Sequence, residues 1–358
     1  MSAPAAAIHA PARFHRPELD ALRFGAFFLV FLNHALPHAS ADYSDWGIPS
    51  ALASILAATG RAGALGVDLF FALSSYLITE LLLRERRATG SLNVRAFYTR
   101  RILRIWPLYF FALLVLAPAM ALFDPRDSLP VSYAAGFALL SGNWVCAWAG
   151  YPASSFALLW SVSIEEQFYL AWPWLVRRVS IARCGLAMLA LATLTRIVLA
   201  GLHIEHPGVW CNTLARLDPI AGGALLAHAL DGRVPSFSKW SRAAWLAGGA
   251  VALLGTGAVG VHAGWGAVAT YPLAAVSALA ILYATLGLGC ANRSLLYLGK
   301  ISFGLYVLHV AVLRLTEPAG PLAGLALTVV AAALSYRYLE TPFLRLKERY
   351  ALVGSRPL

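Results

Sequence analysis

The chain alternates long apolar runs with short polar breaks. Runs long enough to cross a bilayer, about 20 residues each, recur near 19–37, 63–83, 105–123, 156–176, 183–201, 212–230, 243–261, 267–288, 295–313 and 321–339. They predict an all-α fold, a polytopic membrane bundle of about ten transmembrane helices. A further apolar stretch over 131–150, "VSYAAGFALLSGNWVCAWAG", differs from the rest. Its second half is rich in Ser, Gly, Asn and Trp, which suits a re-entrant or interfacial segment better than a lipid-facing helix.

Charge orients these runs. If 131–150 does not cross and the N-terminus is cytoplasmic, every loop Lys and Arg except Arg61, Arg126 and Arg314 falls on the cytoplasmic side, while Arg23, Arg196 and Arg216 fall within spans. If 131–150 crossed, Arg177, Arg178 and Arg183 would face outward and every later loop would reverse. The positive-inside rule therefore predicts ten spans with both termini cytoplasmic. The expected organisation is a cytoplasmic tail over 1–18, one membrane domain over 19–340 and a second cytoplasmic tail over 341–358. Met1–Glu18 lacks the apolar core and small-residue cleavage site of a signal peptide, so the first span is expected to act as its own insertion signal.

Composition agrees with a lipid setting. Hydrophobic residues make up 59% and charged residues 13%, against about a quarter charged in a soluble domain. The net charge of +11 then reads as loop charge, and without an aromatic and basic RNA-binding motif no nucleic-acid partner is expected. Cys146, Cys184, Cys211 and Cys290 show no metal-type spacing and read as small apolar filler. No metal site is expected, because no span presents two His at helical ligand separation. No Gly-x-Ser-x-Gly elbow marks a serine nucleophile.

The candidate chemistry begins in the first run, "LRFGAFFLVFLNHAL", which holds both Arg23 and His34. Eleven residues separate them, about 16 Å of helix, and eleven steps of about 100° return to nearly the same face. Both side chains therefore look into one interior, Arg23 near the cytoplasmic face and His34 near the outer one. Asp68, Glu165, Glu166, Arg216, Asp218 and His309 fall in the outer half, while Arg100, Arg101 and Arg104 fall at the inner mouth. Ionisable groups inside spans face a bundle interior or a watery cavity and mark function.

Seven stretches carry a resemblance. They are "ELDALRFGAFFLVFLNHA" (Glu18–Ala35), "LGVDLFFALSSYLITELLLRE" (Leu65–Glu85), "FYTRRILRIWPLYF" (Phe97–Phe110), "LWSVSIEEQFYLAWPWL" (Leu159–Leu175), "LARLDPIAGGALLA" (Leu214–Ala227), "LGKISFGLYVLHVAVL" (Leu298–Leu313) and "YLETPFLRL" (Tyr338–Leu346). In this order the chain resembles the acyltransferase-3 family of bacterial membrane proteins, which O-acylate carbohydrates and secreted metabolites. It departs from the family at Ser74, Ser75 and Tyr76, where Ser-Gly-Phe is usual, and at Glu80, where a small residue is usual.

The resemblance implies an acyltransferase of the O-acyl type that moves an acyl group, acetyl above all, from cytoplasmic acyl-CoA. Acetyl-CoA is then a donor substrate, and no cofactor is permanently bound. The acceptor is a hydroxyl of a carbohydrate, glycolipid or secreted small molecule at the outer face. Arg101 and Arg104, matching the family's Arg-x-x-Arg, are expected to clamp the donor's phosphates through their planar donor forks. Arg84, Arg86 and Arg87 read as topological anchors. Arg23 is expected to reach the coenzyme, or else to pair with Asp20.

His34 is the expected base, because imidazole titrates near neutrality and can take a hydroxyl proton and pass it to a departing thiolate. Of Glu165 and Glu166, pointing about 100° apart, one is expected to orient His34. The other is expected to pair with Arg216 or to hydrogen-bond within the bundle. Asp68, Arg216, Asp218 and His309 form an acceptor-side or structural polar cluster. His38, His203, His206 and His262 are expected in outer loops without a special role. The rival reading is a transporter or flippase of a glycan or lipid precursor, using the same charges without covalent change. The repeated halves typical of many transporters are absent from the sequence.

Overall fold

A computed structural model describes residues 15–259 and 263–350. Among these residues the secondary structure is helical, with no strand. The helices are α1 (Pro17–Ala35), α2 (Ser50–Gly63), α3 (Gly66–Thr89), α4 (Val94–Phe111), α5 (Ala117–Phe123), α6 (Val131–Ala138), α7 (Gly142–Ala149) and α8 (Leu159–Arg178). They continue as α9 (Ile181–Gly201), α10 (Leu217–Leu230), α11 (Lys239–Val259), α12 (Gly264–Thr285), α13 (Arg293–Lys300), α14 (Ser302–Leu315), α15 (Gly320–Ser335) and α16 (Thr341–Glu348). Wide π turns join α4 to α5 over Ala112–Leu116 and α15 to α16 over Tyr336–Glu340.

All ten expected runs coincide with helices, but they do not all qualify as spans. Six segments are long and apolar enough to cross a membrane: Ser50–Thr89, Val94–Phe123, Ile181–Gly201, Lys239–Val259, Gly264–Thr285 and Glu317–Glu348. The pair α13 and α14, bent by 72°, makes a seventh if taken as one span. The helices that fall short are α1, α8 and α10. Asp20 and Arg23 sit in α1, Glu165 and Glu166 in α8, and Asp218 in α10, which is only 14 residues long. In α1 and α8 the ionisable groups that suggest function are also those that lower the apolarity of the helix.

The 131–150 stretch divides into α6 and α7, each eight residues. At 1.5 Å per residue each is about 12 Å long, too short to cross a hydrocarbon core. The Tyr133 hydroxyl donates to the carbonyls of Ala149 (3.1 Å) and Gly150 (2.9 Å). The start of α6 therefore lies beside the end of α7, and the chain returns to the level it left.

Of the two expected tails, residues 1–14 and 351–358 lie outside the described residues, as does His262. The described parts are structured: Pro17 opens α1, with Glu18 and Asp20 complementing the positive end of the helix dipole. Residues 341–348 form α16, which packs against α4 rather than trailing away.

Close backbone contacts place α1 at the centre of the site. It packs against α2, α3, α13 and α14. A Cβ at Gly66 would stand 2.5 Å from the Ala26 carbonyl oxygen, and one at Gly299 would stand 1.9 Å from that of Asp20. Only glycine admits such approaches, so α3 and α13 seat directly on α1. The bend after Gly299 then turns α14 inward, carrying Ser302, Tyr306 and His309 toward the interior.

Candidate active site

A cavity of about 190 Å³ opens at the basic end of the bundle. Arg23, Arg101 and Arg104 all line it, with Asp20 beside them. Arg23 also pairs with Asp20 at 2.5 Å, while His15 meets the other Asp20 oxygen at 2.9 Å. The two roles expected for Arg23 are thus compatible: the carboxylate holds the guanidinium on the cavity wall. Arg101 makes no ion pair among the described residues, and its guanidinium lies 5.3 Å from the Tyr169 ring centre. Arg100 is turned away, held by Glu85 at 2.9 Å and by the Tyr350 carbonyl at 2.9 Å. Arg84 and Arg87 bind Glu80 and Asp231.

Sequence reasoning missed three basic groups at this mouth. His15 and Arg16 precede the first apolar run, and Lys347 reaches it from α16. Their signal was the charge itself, which reads as topology until the fold brings both ends of the described chain to one opening.

At the far end of α1 stands a histidine pair. His34 Nδ1 lies 3.2 Å from His309 Nε2 and 2.9 Å from the Val30 carbonyl, and His309 Nδ1 lies 2.7 Å from the Tyr306 carbonyl. A carbonyl only accepts, so each Nδ1 carries a proton that it donates. His309 Nε2 is then an acceptor facing His34 Nδ1–H, and His34 Nε2 keeps its lone pair. His309 is fully buried against Phe27, Phe31 and Tyr306. His34, by contrast, is exposed.

The two glutamates sit elsewhere. Glu166 accepts a hydrogen bond from the Trp106 indole at 3.0 Å, and Glu165 accepts one from the Tyr169 hydroxyl at 3.2 Å. Neither bonds to His34, and neither pairs with Arg216. The orienting contact expected from a glutamate comes in this structure from His309, which the sequence placed only in the general outer cluster. Glu165 lines the basic cavity instead.

The remaining polar residues form two buried ion pairs. Arg216 binds Asp68 at 2.9 Å, while its guanidinium lies 4.0 Å from the Trp210 ring centre. Asp218 pairs with Arg196, whose Nη2 lies 3.0 Å from Asp218 Oδ1 and whose Nη1 donates to the Ala215 carbonyl at 2.8 Å. These contacts tie α3, α9 and α10 together and make no hydrogen bond to the histidine pair.

Tyr306 connects the two regions. It lines the cavity, packs edge-on against Phe70 at 5.7 Å and against His309 at 5.9 Å, and bonds Ser161 Oγ at 2.6 Å. The site thus combines a basic opening with a hydrogen-bonded pair of imidazoles.

Comparison with known proteins gives this arrangement a family. The acyltransferase-3 model, described as an acyltransferase domain, matches residues 16–336, nearly all of the described chain. The chain belongs to the acyltransferase-3 family. A protein of Staphylococcus aureus strain COL is 26% identical over 323 residues, covering 78% of this chain and 52% of its own length. The Listeria monocytogenes peptidoglycan O-acetyltransferase OatA is 26% identical over 321 residues, covering 79% and 51%. The O-acetyltransferase OatA of Staphylococcus aureus strain NCTC 8325 is 29% identical over 180 residues, covering 46% and 30%. The chain spans about half the length of the first of these relatives. No solved structure matches it.

Proposed function

We propose that this protein is a membrane O-acyltransferase that moves an acetyl group from cytoplasmic acetyl-CoA to a hydroxyl at the opposite face of a bacterial cytoplasmic membrane. The observation that carries this reading is the pairing of two groups on α1. Arg23 lines the basic cavity together with Arg101 and Arg104, and His34 stands about 16 Å away with its Nε2 lone pair available. Family membership supports acyl transfer, and the names of the relatives support acetyl as the group and an O-linked product. The Listeria relative's name favours a glycan acceptor over a glycolipid or a secreted small molecule.

In this reading α1, α8 and α10 cross the membrane with the six apolar segments and the bent pair, giving ten spans and cytoplasmic termini. Their charges are tolerated because they face the bundle interior. Arg23, Arg101 and Arg104 bind the donor phosphates, and the acyl arm enters the cavity toward Tyr306. The acceptor hydroxyl approaches the exposed side of His34. As its oxygen attacks the thioester carbonyl, His34 Nε2 takes the hydroxyl proton; the new C–O bond forms, the C–S bond breaks, and the proton passes to the departing thiolate. The products are an ester and coenzyme A. While protonated, His34 is stabilised through Nδ1–H by the Val30 carbonyl and the His309 Nε2 lone pair, so His309 orients the base.

The test is an assay of purified protein with labelled acetyl-CoA and peptidoglycan fragments. Label in ester linkage to glycan, lost in His34→Ala, is the expected result. Translocation of glycan without any ester, unimpaired in His34→Ala, would establish the transporter reading instead.

A further inference from the structure

Part of the cavity wall is apolar, with Val67, Phe70, Ile78, Leu81, Ile105 and Phe303. One helix gives it a polar stripe. Ser161, Glu165 and Tyr169 of α8 all line the cavity, and their i, i+4, i+8 spacing puts them on one face with about 6 Å of rise between neighbours. The stripe is anchored at both ends. Tyr169 stacks beneath the Arg101 guanidinium, and Ser161 bonds Tyr306, which packs on His309. A polar track therefore runs from the expected phosphate clamp to the histidine pair.

Its middle member is incompletely satisfied. Glu165 Oε2 accepts from Tyr169 and the Ser74 hydroxyl stands close to the same carboxyl, but Oε1 is buried without a geometrically formed hydrogen bond. A buried acceptor left unmade is destabilising, and this one is carried by a residue of the cavity wall. Glu165 makes no contact with His34, so it is not placed to handle the proton of the reaction.

We propose that Glu165 Oε1 accepts a hydrogen bond from an amide N–H of the donor's pantetheine arm, so that α8 is the surface along which the arm is laid out. This rests on the acetyl-CoA reading above. The chemistry fits: phosphates need cations, whereas the arm offers two neutral amides in an otherwise aliphatic thread. A cavity that sets an acceptor-bearing stripe against apolar side chains reads such a thread and rejects a purely hydrocarbon one. Glu165 is thus a specificity and positioning residue for the donor.

The test uses the full-length protein in detergent, acetyl-CoA, and two acetyl-CoA analogues in which one or the other arm amide N–H is replaced by an ester oxygen. Binding of acetyl-CoA to the wild type is measured first. Wild type is expected to lose roughly tenfold in kcat/KM, through KM, with one of the two analogues. Glu165→Ala is expected to lose a similar factor with acetyl-CoA but nothing further with that analogue, whereas Glu165→Gln, which keeps a carbonyl acceptor, falls between. A wild type indifferent to both analogues, or losses in Glu165→Ala and the analogue that multiply, would overturn the inference while leaving the donor reading intact. A wild type that neither binds nor uses acetyl-CoA would overturn the donor reading, and this inference with it. Should Glu165→Ala not fold, the wild-type comparison of the analogues still decides.

Discussion

In the proposed function His34 and His309 divide one task between them. Each Nδ1 bonds a carbonyl of its own helix, and their 3.2 Å contact fixes which nitrogen of His34 remains basic. His34→Ala is expected to lower kcat by about a hundredfold or more, the usual worth of a positioned base, with little change in donor KM. His309→Ala is expected to lower kcat less and to shift the pH–rate profile, because it alters the base indirectly; a stopped assay across pH separates the two. Arg101→Ala and Arg104→Ala are expected to raise the KM for acetyl-CoA about tenfold or more, with Arg101→Lys only partly restoring it, since an ammonium lacks the planar fork. The Arg23 to His34 spacing was legible from the sequence because both residues lie on one helix. The His34 contact with His309 was not, because it joins residues 275 apart and depends on a bend that no local pattern announces.

At the scale of elements, the decisive feature is the break between α13 and α14. Without it, residues 293–315 would form one straight rod, and Tyr306 and His309 would not both reach the interior at the level of His34. Gly299 seats α13 directly on α1, since a Cβ there would collide with the Asp20 carbonyl. Gly299→Val is therefore expected to destabilise the protein by about 1–3 kcal/mol or more through overpacking. Thermal unfolding in detergent would show the lowered midpoint, while Gly25→Ala, whose Cβ meets nothing within 4 Å, is the control. The helices themselves were legible, because apolar runs need only a count of residues. The short pair α6 and α7 was legible in part: its Ser, Gly and Trp content argued against a lipid-facing helix, and the Tyr133 clasp supplies the hairpin. The glutamates of α8 were legible in part: hydrogen bonding within the bundle is seen at Glu166 with Trp106 and at Glu165 with Tyr169, but neither bonds His34, and Glu165 lines the basic cavity.

For the whole molecule, the proposed function has donor and acceptor meet from opposite sides of one bundle. The basic cavity and the solvent-accessible His34 lie at opposite ends of α1, with Tyr306 and His309 between them. Single cysteines introduced into a variant lacking the four native ones test the orientation: one at Ser128 is expected to react with an impermeant maleimide from outside cells, and one at Ser236 only after permeabilisation. The reverse pattern would invert the topology. The central claim is transfer across the membrane. Its most direct measurement uses sealed proteoliposomes of uniform orientation, with labelled acetyl-CoA confined to the side of Arg101 and a glycan acceptor confined to the side of His34. The account predicts labelled ester on the glycan and free coenzyme A retained on the donor side, both lost in His34→Ala. Ester formed only when donor and acceptor share one compartment would contradict it.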